Sequence, residues 1–397
     1  MSKQSNFAMT AVLALLSIFP PLATDMYLPA LATLATDMQT TSAHAEFSLS
    51  IFFLGLCVGQ LIVGPAIDAY GRKIPLLCGA AVFTLTSIAM YFVHDITLFN
   101  SLRFLQALGA CCGMVISRAI VTDIYEGAQV AKTMTVLVML MTIGPIVSPT
   151  LGSLLFEAFG WRSIFLLLVL IGIVAFILAK KIIPETLAPE RRVQRPFYDA
   201  FKNAGILIRQ RNYMVCILTG CLVQAGMFAF ITGSSGIFQG IYGLSAFDYG
   251  LAFAGIAVAL FCFGRLNHQL LNRFSSQQIL SYGLPFYATM AGLTVFASGL
   301  HSLWILIIPL WLTIGMVSLL SANSMSLAMI NSRERAGVGS ALLGVFQFGM
   351  AFIVSSAVAV GGGQSIYAMS LGICIPAILA CVVWLSFGRV DALKMMN

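Results

Sequence analysis

The sequence predicts an all-α polytopic membrane protein, twelve transmembrane helices arranged as two six-helix bundles, on three observations. Of the 397 residues, 59% are hydrophobic and only 9% charged, against roughly 25% charged in an ordinary soluble domain. Apolar runs of about 20 residues recur along the chain, each long enough to cross ~30 Å of hydrocarbon as a helix. One long charged stretch interrupts that pattern at its midpoint. Lipid-spanning strands would read as alternating segments of about 10 residues. These runs are solid instead, and a helix satisfies its own backbone hydrogen bonds in lipid. The composition excludes a soluble enzyme and a disordered chain.

The predicted spans are 7–29, 47–69, 74–93, 97–120, 132–154, 162–182, 213–236, 247–266, 278–299, 303–327, 337–358 and 365–387. The first contains Pro20, Pro21 and Pro29, which remove backbone donors and predict a bend. Ala30-Leu31-Ala32 loosely resembles a signal-peptidase site, but the many later spans favour an uncleaved first helix. Connections are short except from Pro184 to Asn212, which holds Glu185, Glu190, Arg191, Arg192, Arg195, Asp199, Lys202, Arg209 and Arg211. It separates an N-terminal bundle, 1–183, from a C-terminal bundle, 213–397, through a cytoplasmic linker, 184–212. Membrane proteins built from repeats are organised in this way.

Lys and Arg placement sets the orientation. With both termini in the cytoplasm, that side receives Lys3, Arg72, Lys73, Lys132, Lys180, Lys181, the basic residues of the linker, Arg265, Arg273, Arg333, Arg335, Arg389 and Lys394. The other side receives Arg162 alone, and Arg103 and Arg118 fall within the fourth span. Asp37, Glu46, Asp95, Glu157 and Asp248 are then expected outside or at the outer interface. The net charge of +7 is thus a topology signal and implies no nucleic acid. The nine cysteines all lie in apolar stretches without a CxxC pair, and the four histidines lack ligand spacing, so no disulfide, metal or cofactor is expected.

An ionisable group in hydrocarbon costs at least ~2.5–3.5 kcal/mol on insertion scales and usually marks a pathway. Within the first predicted span Asp25 follows eighteen uncharged residues, 7–24, and sits between Pro20-Pro21 and Pro29. Burial opposes its ionisation and a nearby cation favours it, so it is a candidate proton carrier; capping of the first helix is the alternative. Arg103 cannot shed its charge and needs a carboxylate, carbonyls or water. Gln106, Ala107, Ala110 and Met114 follow it at helical spacing and make a small, partly polar face suited to a cavity. Arg118 lies near the cytoplasmic end, with Asp123 or Asp68 as possible partners.

The second connection reads Gly64-Pro65-Ala66-Ile67-Asp68-Ala69-Tyr70-Gly71-Arg72-Lys73, a helix end, a tight turn and a charge cluster able to latch neighbouring helices. Its GxxxDxxGRK spacing resembles the signature loop of the major facilitator superfamily. Leu98 to Gly109, with Arg103 and Gln106, resembles that family's fourth-span motif, and Gly144-Pro145, Pro149 and Gly152 its antiporter motif. Thr24-Asp25-Met26-Tyr27-Leu28-Pro29-Ala30, Gly59-Gln60-Leu61, Ser117 to Asp123 and Gly160 to Phe165 are similar to the Bcr/CflA (bicyclomycin/chloramphenicol resistance) subfamily of drug:proton antiporters. In the second half, Tyr242 to Ser245, Tyr249-Gly250 and Gly339 to Gln347 fit more diffusely. Two departures stand out. Eight residues before Asp25, where some drug:proton antiporters carry a second acid, this chain has Ser17. The counterpart loop, Gly264-Arg265 to Arg273, lacks the Asp.

The resemblance implies a central cavity lined by the first, fourth, seventh and tenth spans, with a small-molecule substrate, protons and the lipid bilayer as partners, in a monomer. Asp25 and Arg103 would carry proton coupling. Gly64, Asp68, Gly71, Arg72, Lys73, Arg118 and Asp123 would form a conformational latch. Tyr27, Gln106, Met114, Gln224 and Phe228 are candidate substrate contacts, because aromatics and Met give adaptable apolar surface and amides a few polar contacts. Gly361-Gly362-Gly363 lacks the Lys and the strand-to-helix context of a phosphate loop and reads as an outer turn. The expected function is proton-coupled multidrug efflux across a bacterial inner membrane. Export of one metabolite, such as an amino acid, polyamine or siderophore, is the alternative on the same fold. A non-transporting receptor or a membrane enzyme finds no supporting motif.

Overall fold

The computed structural model describes residues 3–193, 195–332, 335–361 and 365–388. Arg333, Arg389, Lys394, Gly362 and Gly363 lie outside the described residues. Among those described, no strand occurs, and twelve helices are long and apolar enough to cross a membrane. They run Phe7–Asp37, Ser42–Tyr70, Lys73–Phe92, Ile96–Ile124, Lys132–Phe159, Arg162–Ile182, Arg211–Ile241, Ala246–Leu270, Ser276–Ser298, Leu303–Asn331, Gly337–Val360 and Ile366–Phe387.

Several helix starts are set by side-chain caps that occupy orphan backbone donors. Thr41 accepts from His44 N at 3.3 Å, Asp95 from Leu98 N at 2.7 Å, and Ser245 from Asp248 N at 3.0 Å. Ser275 and Gln278 form a reciprocal capping box. Several helices overrun the predicted apolar runs by about a turn, mostly at their C-terminal ends, where the backbone ladder continues through residues less apolar than the run itself.

The first span departs most from a regular rod. It is built of Lys3–Ser17, Phe19–Asp25, a 3₁₀ turn at Leu28–Ala30, and Leu31–Asp37. The prolines explain the breaks, since each lacks an N–H and crowds the preceding turn. The span therefore continues past the predicted end at residue 29. Asp25 closes the second segment, next to the irregular backbone.

Spans 2, 3, 4 and 6 pack on one another, as do spans 7, 9, 10 and 12 with spans 8 and 11 alongside. The two most extensive pairings between the first half of the chain and the second are span 2 with span 11 and span 5 with span 8; span 7 also meets span 2, and span 8 the 3₁₀ turn of span 1. At the end opposite the basic residues the halves touch directly. Ser235 Oγ donates to Leu28 O at 2.8 Å, Thr150 Oγ1 to Gly250 O at 3.3 Å, and Phe247 N to Glu157 Oε1 at 3.1 Å. Arg162, the lone predicted cation of this end, meets Asp37 at 3.3 Å and lies 4.3 Å from the Trp161 ring centre.

At the basic end the halves separate around a cavity of about 780 Å³, walled by spans 2, 4, 5, 10 and 11 and by residues 200–204. Those last residues belong to a helix, Pro196–Ile208, inside the stretch expected to be a plain connection. Proline at its first turn and an apolar face of Phe197, Phe201, Ala204 and Leu207 account for it.

Candidate functional site

Asp25 is 1% exposed. Thr24 Oγ1 lies 2.8 Å from its Oδ1 and 2.9 Å from Pro20 O, so the single Thr24 hydroxyl proton is shared between two acceptors. No ion pair joins Asp25 to Arg103 among the described residues. Tyr27 is within electrostatic reach of both. Its hydroxyl bonds Ser48 Oγ at 2.8 Å.

Arg103 is wholly buried. Its guanidinium lies between two rings, 4.5 Å from the Tyr27 centroid and 4.4 Å from that of Phe52. Nη1 donates to Gln106 Oε1 at 2.6 Å, and Gln106 Nε2 donates onward to Ser87 Oγ at 2.8 Å. Among the described residues Nε and Nη2 have no partner of hydrogen-bond geometry. A planar cation suits this slot because both faces stack while its edges donate. The two free N–H edges are a standing demand for an acceptor, which a carboxylate, a carbonyl or water can meet once the helices move.

The sequence motif after span 2 folds into a charge network. Arg72 is 8% exposed; it pairs with Asp68 at 2.8 Å and Asp123 at 3.0 Å, and its Nη1 also donates to Ile67 O at 2.8 Å. Burial opposes the charge on Arg72, but bonds to Asp123 and Asp68 outweigh it, so the guanidinium holds its proton more firmly than a free arginine. Gly71 turns the chain with φ of 89°, a left-handed conformation that favours glycine. A side chain there would also strike the Glu185 carboxylate.

Glu185 was not singled out by sequence. Its carboxylate accepts from Arg72 N at 2.8 Å, Lys73 N at 3.2 Å, Thr186 N at 3.0 Å and Leu187 N at 3.0 Å. Partial burial pushes its pKa up, yet these four donors prevail and hold it below the usual glutamate value. Thr186 Oγ1 donates to Asp123 Oδ2 at 2.8 Å, and Val193 N to Asp68 O at 3.0 Å. The midpoint stretch is thereby tied to the loop.

One expectation needs correction. Arg118 pairs with neither Asp123 nor Asp68. It faces the basic-end cavity and donates to Met141 Sδ at 3.5 Å. Arg72 already takes both carboxylates, and five residues along a helix place Arg118 and Asp123 on different faces. Glu46 lies at the expected end, one turn into span 2, yet is 2% exposed, because the packing of neighbouring helices covers the start of span 2.

The antiporter-motif residues sit where span 5 meets spans 1 and 8. A Cβ at Gly152 would run into the Met26 carbonyl, and Gly144 faces Pro21. Pro145 and Pro149 lie inside the helix, and the Pro149 carbonyl lies beside Gly250. Gly64 has no close neighbour and lines the cavity with Asp68 and Arg72. Lys73 is half-buried.

None of the five candidate substrate contacts lines the large cavity in this arrangement. Tyr27 and Gln106 belong to the Arg103 cluster, and Met114 is buried. Gln224 borders a small void with Gly220, Met325, Leu343 and Gln347. Phe228 packs 4.8 Å from Phe53 and 6.2 Å from Phe348, an aromatic layer across spans 2, 7 and 11. Gln60, on the cavity wall, is seven residues from Phe53, or about 10 Å along a helix. The layer therefore lies deeper than the cavity wall, at the level of Phe52, which stacks on Arg103. Phe201, Asn203, Val115, Met134 and Met329 also line the cavity, and they carry no signal in the sequence beyond being apolar or polar.

A sequence profile of the Major Facilitator Superfamily matches residues 13–356. The chain belongs to that superfamily. It is 33% identical over 363 residues to an uncharacterized MFS-type transporter, YdgK, of Bacillus subtilis (strain 168), covering 90% of each chain. It is 28% identical to a bicyclomycin resistance protein homolog of Haemophilus influenzae, again over 90% of each. It is 28% identical to multidrug resistance protein D of Escherichia coli (strain K12), over 87% of each. These are the names to which the first-half motifs point. A partially occluded inward-open conformation of the xylose transporter XylE from E. coli superposes with a TM-score of 0.76 at 12% identity, covering 96% of this chain and 97% of that one; at that identity the likeness bears on the fold. Superfamily membership makes the chain a multi-pass membrane transporter and not an enzyme.

Proposed function

We propose that this transporter is a secondary active exporter that exchanges protons for small amphipathic compounds by alternating access in a bacterial inner membrane, with both termini cytoplasmic. The observation that carries the reading is Asp25, a carboxyl 1% exposed at a helix break, whose side-chain hydrogen bonding among the described residues comes from Thr24 alone. A buried carboxylate without a counter-charge is strongly disfavoured, so ionising Asp25 requires its surroundings to rearrange. Arg103, with two unsatisfied N–H edges, supplies the cation once the helices move. The relatives named for bicyclomycin and multidrug resistance support the drug-like cargo.

In the cycle, the basic-end cavity admits substrate from the cytoplasm while the opposite end is closed. Asp25 gives up its proton inward as substrate passes the Phe53–Phe228–Phe348 layer. The opposite end then opens, substrate leaves, and Asp25 takes a proton from that side. The Asp68–Arg72–Asp123 network, tied to Glu185, holds the cytoplasmic end shut in the outward-open stage. Residues 1–183 and 213–397 act as the two rocking bundles. The test is ethidium export from vesicles under an imposed proton gradient. Wild-type export should follow the gradient, and Asp25→Asn should abolish that dependence. Unchanged gradient dependence in Asp25→Asn overturns the reading.

A further inference from the structure

Glu46 lies outside the site described above. It is one turn into the second span, where headgroup water and the helix N-terminus would ordinarily suit a carboxylate. Instead it is 2% exposed, and its Oε2 is buried without a hydrogen-bond partner among the described residues. Among the described residues no charged side chain pairs with it; His44, two residues before it, is exposed and meets Thr40 Oγ1 at 3.1 Å instead.

The elements around it account for that isolation. Spans 4, 7 and 11 and the helix Leu31–Asp37 all pack on span 2. Asp37 is engaged by Trp161 at 2.7 Å and Arg162 at 3.3 Å. On span 4, Asp95 caps its own helix, and Arg103 is held by Gln106, Tyr27 and Phe52. Span 11 has no titratable residue between 336 and 360. Beyond span 7 stands Tyr242, whose hydroxyl is itself unpartnered. Lys73, Arg118, Asp123, Asp199, Lys202, Arg211 and Tyr213 belong to the basic end. One group does sense Glu46. Tyr249 of span 8 bonds Ser234 of span 7 at 2.9 Å, and its phenol feels the charges of both Glu46 and Asp25.

Span 7 packs on span 2, and span 8 on spans 1 and 5, so Glu46 lies close to the seam between the two halves at this end, within electrostatic reach of Tyr249 across it. We propose that Glu46 is a gate carboxyl: it takes a proton from the outer water as that end closes and returns it to the same water as the end opens. The proton never crosses the membrane, so this step adds nothing to the transported charge. It makes closure of the outer end depend on outer pH. Acid on that side favours closure, and alkali favours opening. The inference rests on the alternating-access reading only for the existence of an outward-open stage; it needs no particular substrate and no titration of Asp25.

Hydrogen exchange of the full chain in lipid nanodiscs, followed by peptide mass, tests it. The reporters are 145–157 and 245–251, which carry the span 5–span 8 contact. One proton required for closure adds up to about tenfold per pH unit to the opening equilibrium. After correction for intrinsic exchange, the wild-type peptides should therefore open increasingly between about pH 6 and about pH 8. Asp25→Asn should retain a rise, because Glu46 still titrates; in that background Glu46→Gln should flatten the profile and Glu46→Asp should keep it. Working in the Asp25→Asn background separates failure of the gate from failure of the proton-exchange reading. A rise retained in Glu46→Gln in that background, or no rise in Asp25→Asn itself, overturns the proposal. Should Glu46→Gln not fold, dicyclohexylcarbodiimide on the unaltered chain decides, since it attacks protonated carboxyls in apolar surroundings. Labelling of Glu46 that falls from pH 6 to pH 8 supports the gate. Equal labelling at both, or none at either, overturns it.

Discussion

Replacing Arg103 by lysine keeps the positive charge and removes the plane, and the slot is built for a plane. The guanidinium has ring centroids at 4.5 Å and 4.4 Å on its two sides. A buried cation–π contact contributes about 2 kcal/mol. A compact ammonium can sit on one ring or reach Gln106, so at least one such contact is lost. A loss of about 2 kcal/mol corresponds to roughly a 30-fold change in the ratio of intact to disrupted site. Arg103→Met loses both ring contacts and leaves Gln106 Oε1 without its donor; a hydrogen bond to a charged group contributes about 1.5–3 kcal/mol more. The expected order for both thermal unfolding in nanodiscs and proton-driven ethidium export is wild type, then Arg103→Lys, then Arg103→Met. If Arg103→Lys matches wild type in both assays, the stacked geometry is irrelevant and the reasoning fails. If Arg103→Met matches Arg103→Lys, the charge is irrelevant.

The remaining predictions concern the interfaces. Asp123→Ala should cost about 1.5–3 kcal/mol, since it removes a partner of buried Arg72 whose side chain is 22% exposed. Asp68→Ala should cost about 0–1 kcal/mol, since that side chain is 50% exposed; equal melting shifts would contradict the difference. Gly250→Leu should wedge spans 5 and 8 apart, because even a Cβ there lies 3.1 Å from Thr150 Cα; overpacking of this kind costs about 1–3 kcal/mol, and exchange in residues 245–251 should rise at fixed pH. Glu185 has a folded-state pKa below its ordinary value, so its contribution is present above pH 4.5 and disappears as pH falls through the depressed value. Glu185→Gln should therefore speed amide exchange at Arg72 and Lys73 at neutral pH, and the difference from wild type should vanish in strong acid.

The spans were legible because hydrocarbon demands uninterrupted apolar runs, and Pro20, Pro21 and Pro29 announced the broken first span. The pairing of Asp68 with Arg72 was also legible, since four residues along the chain bring the two to one side of a helix end. What escaped reading depended on tertiary packing. Glu46 looks like a water-facing residue at a helix start, and only its neighbours bury it. Glu185 joins Arg72 across 113 positions, a distance that local spacing does not encode. Arg118 and Asp123 looked like partners by proximity in sequence, yet Arg72 fills the place. The helix Pro196–Ile208 was hidden by the charges around it, although its apolar residues recur at helical spacing. The candidate substrate residues were chosen for chemistry and span, whereas the cavity wall follows the separation of the two halves at the basic end.

Proton release on substrate binding is the most direct measure of the exchange reading. Ethidium is added to purified protein in lightly buffered detergent, and the pH of the solution is followed with a dye. Wild type should release protons on binding, and Asp25→Asn should bind ethidium without releasing any. Equal release from Asp25→Asn, or binding by wild type with no release at any pH, would contradict the assignment of Asp25 as the exchanging acid.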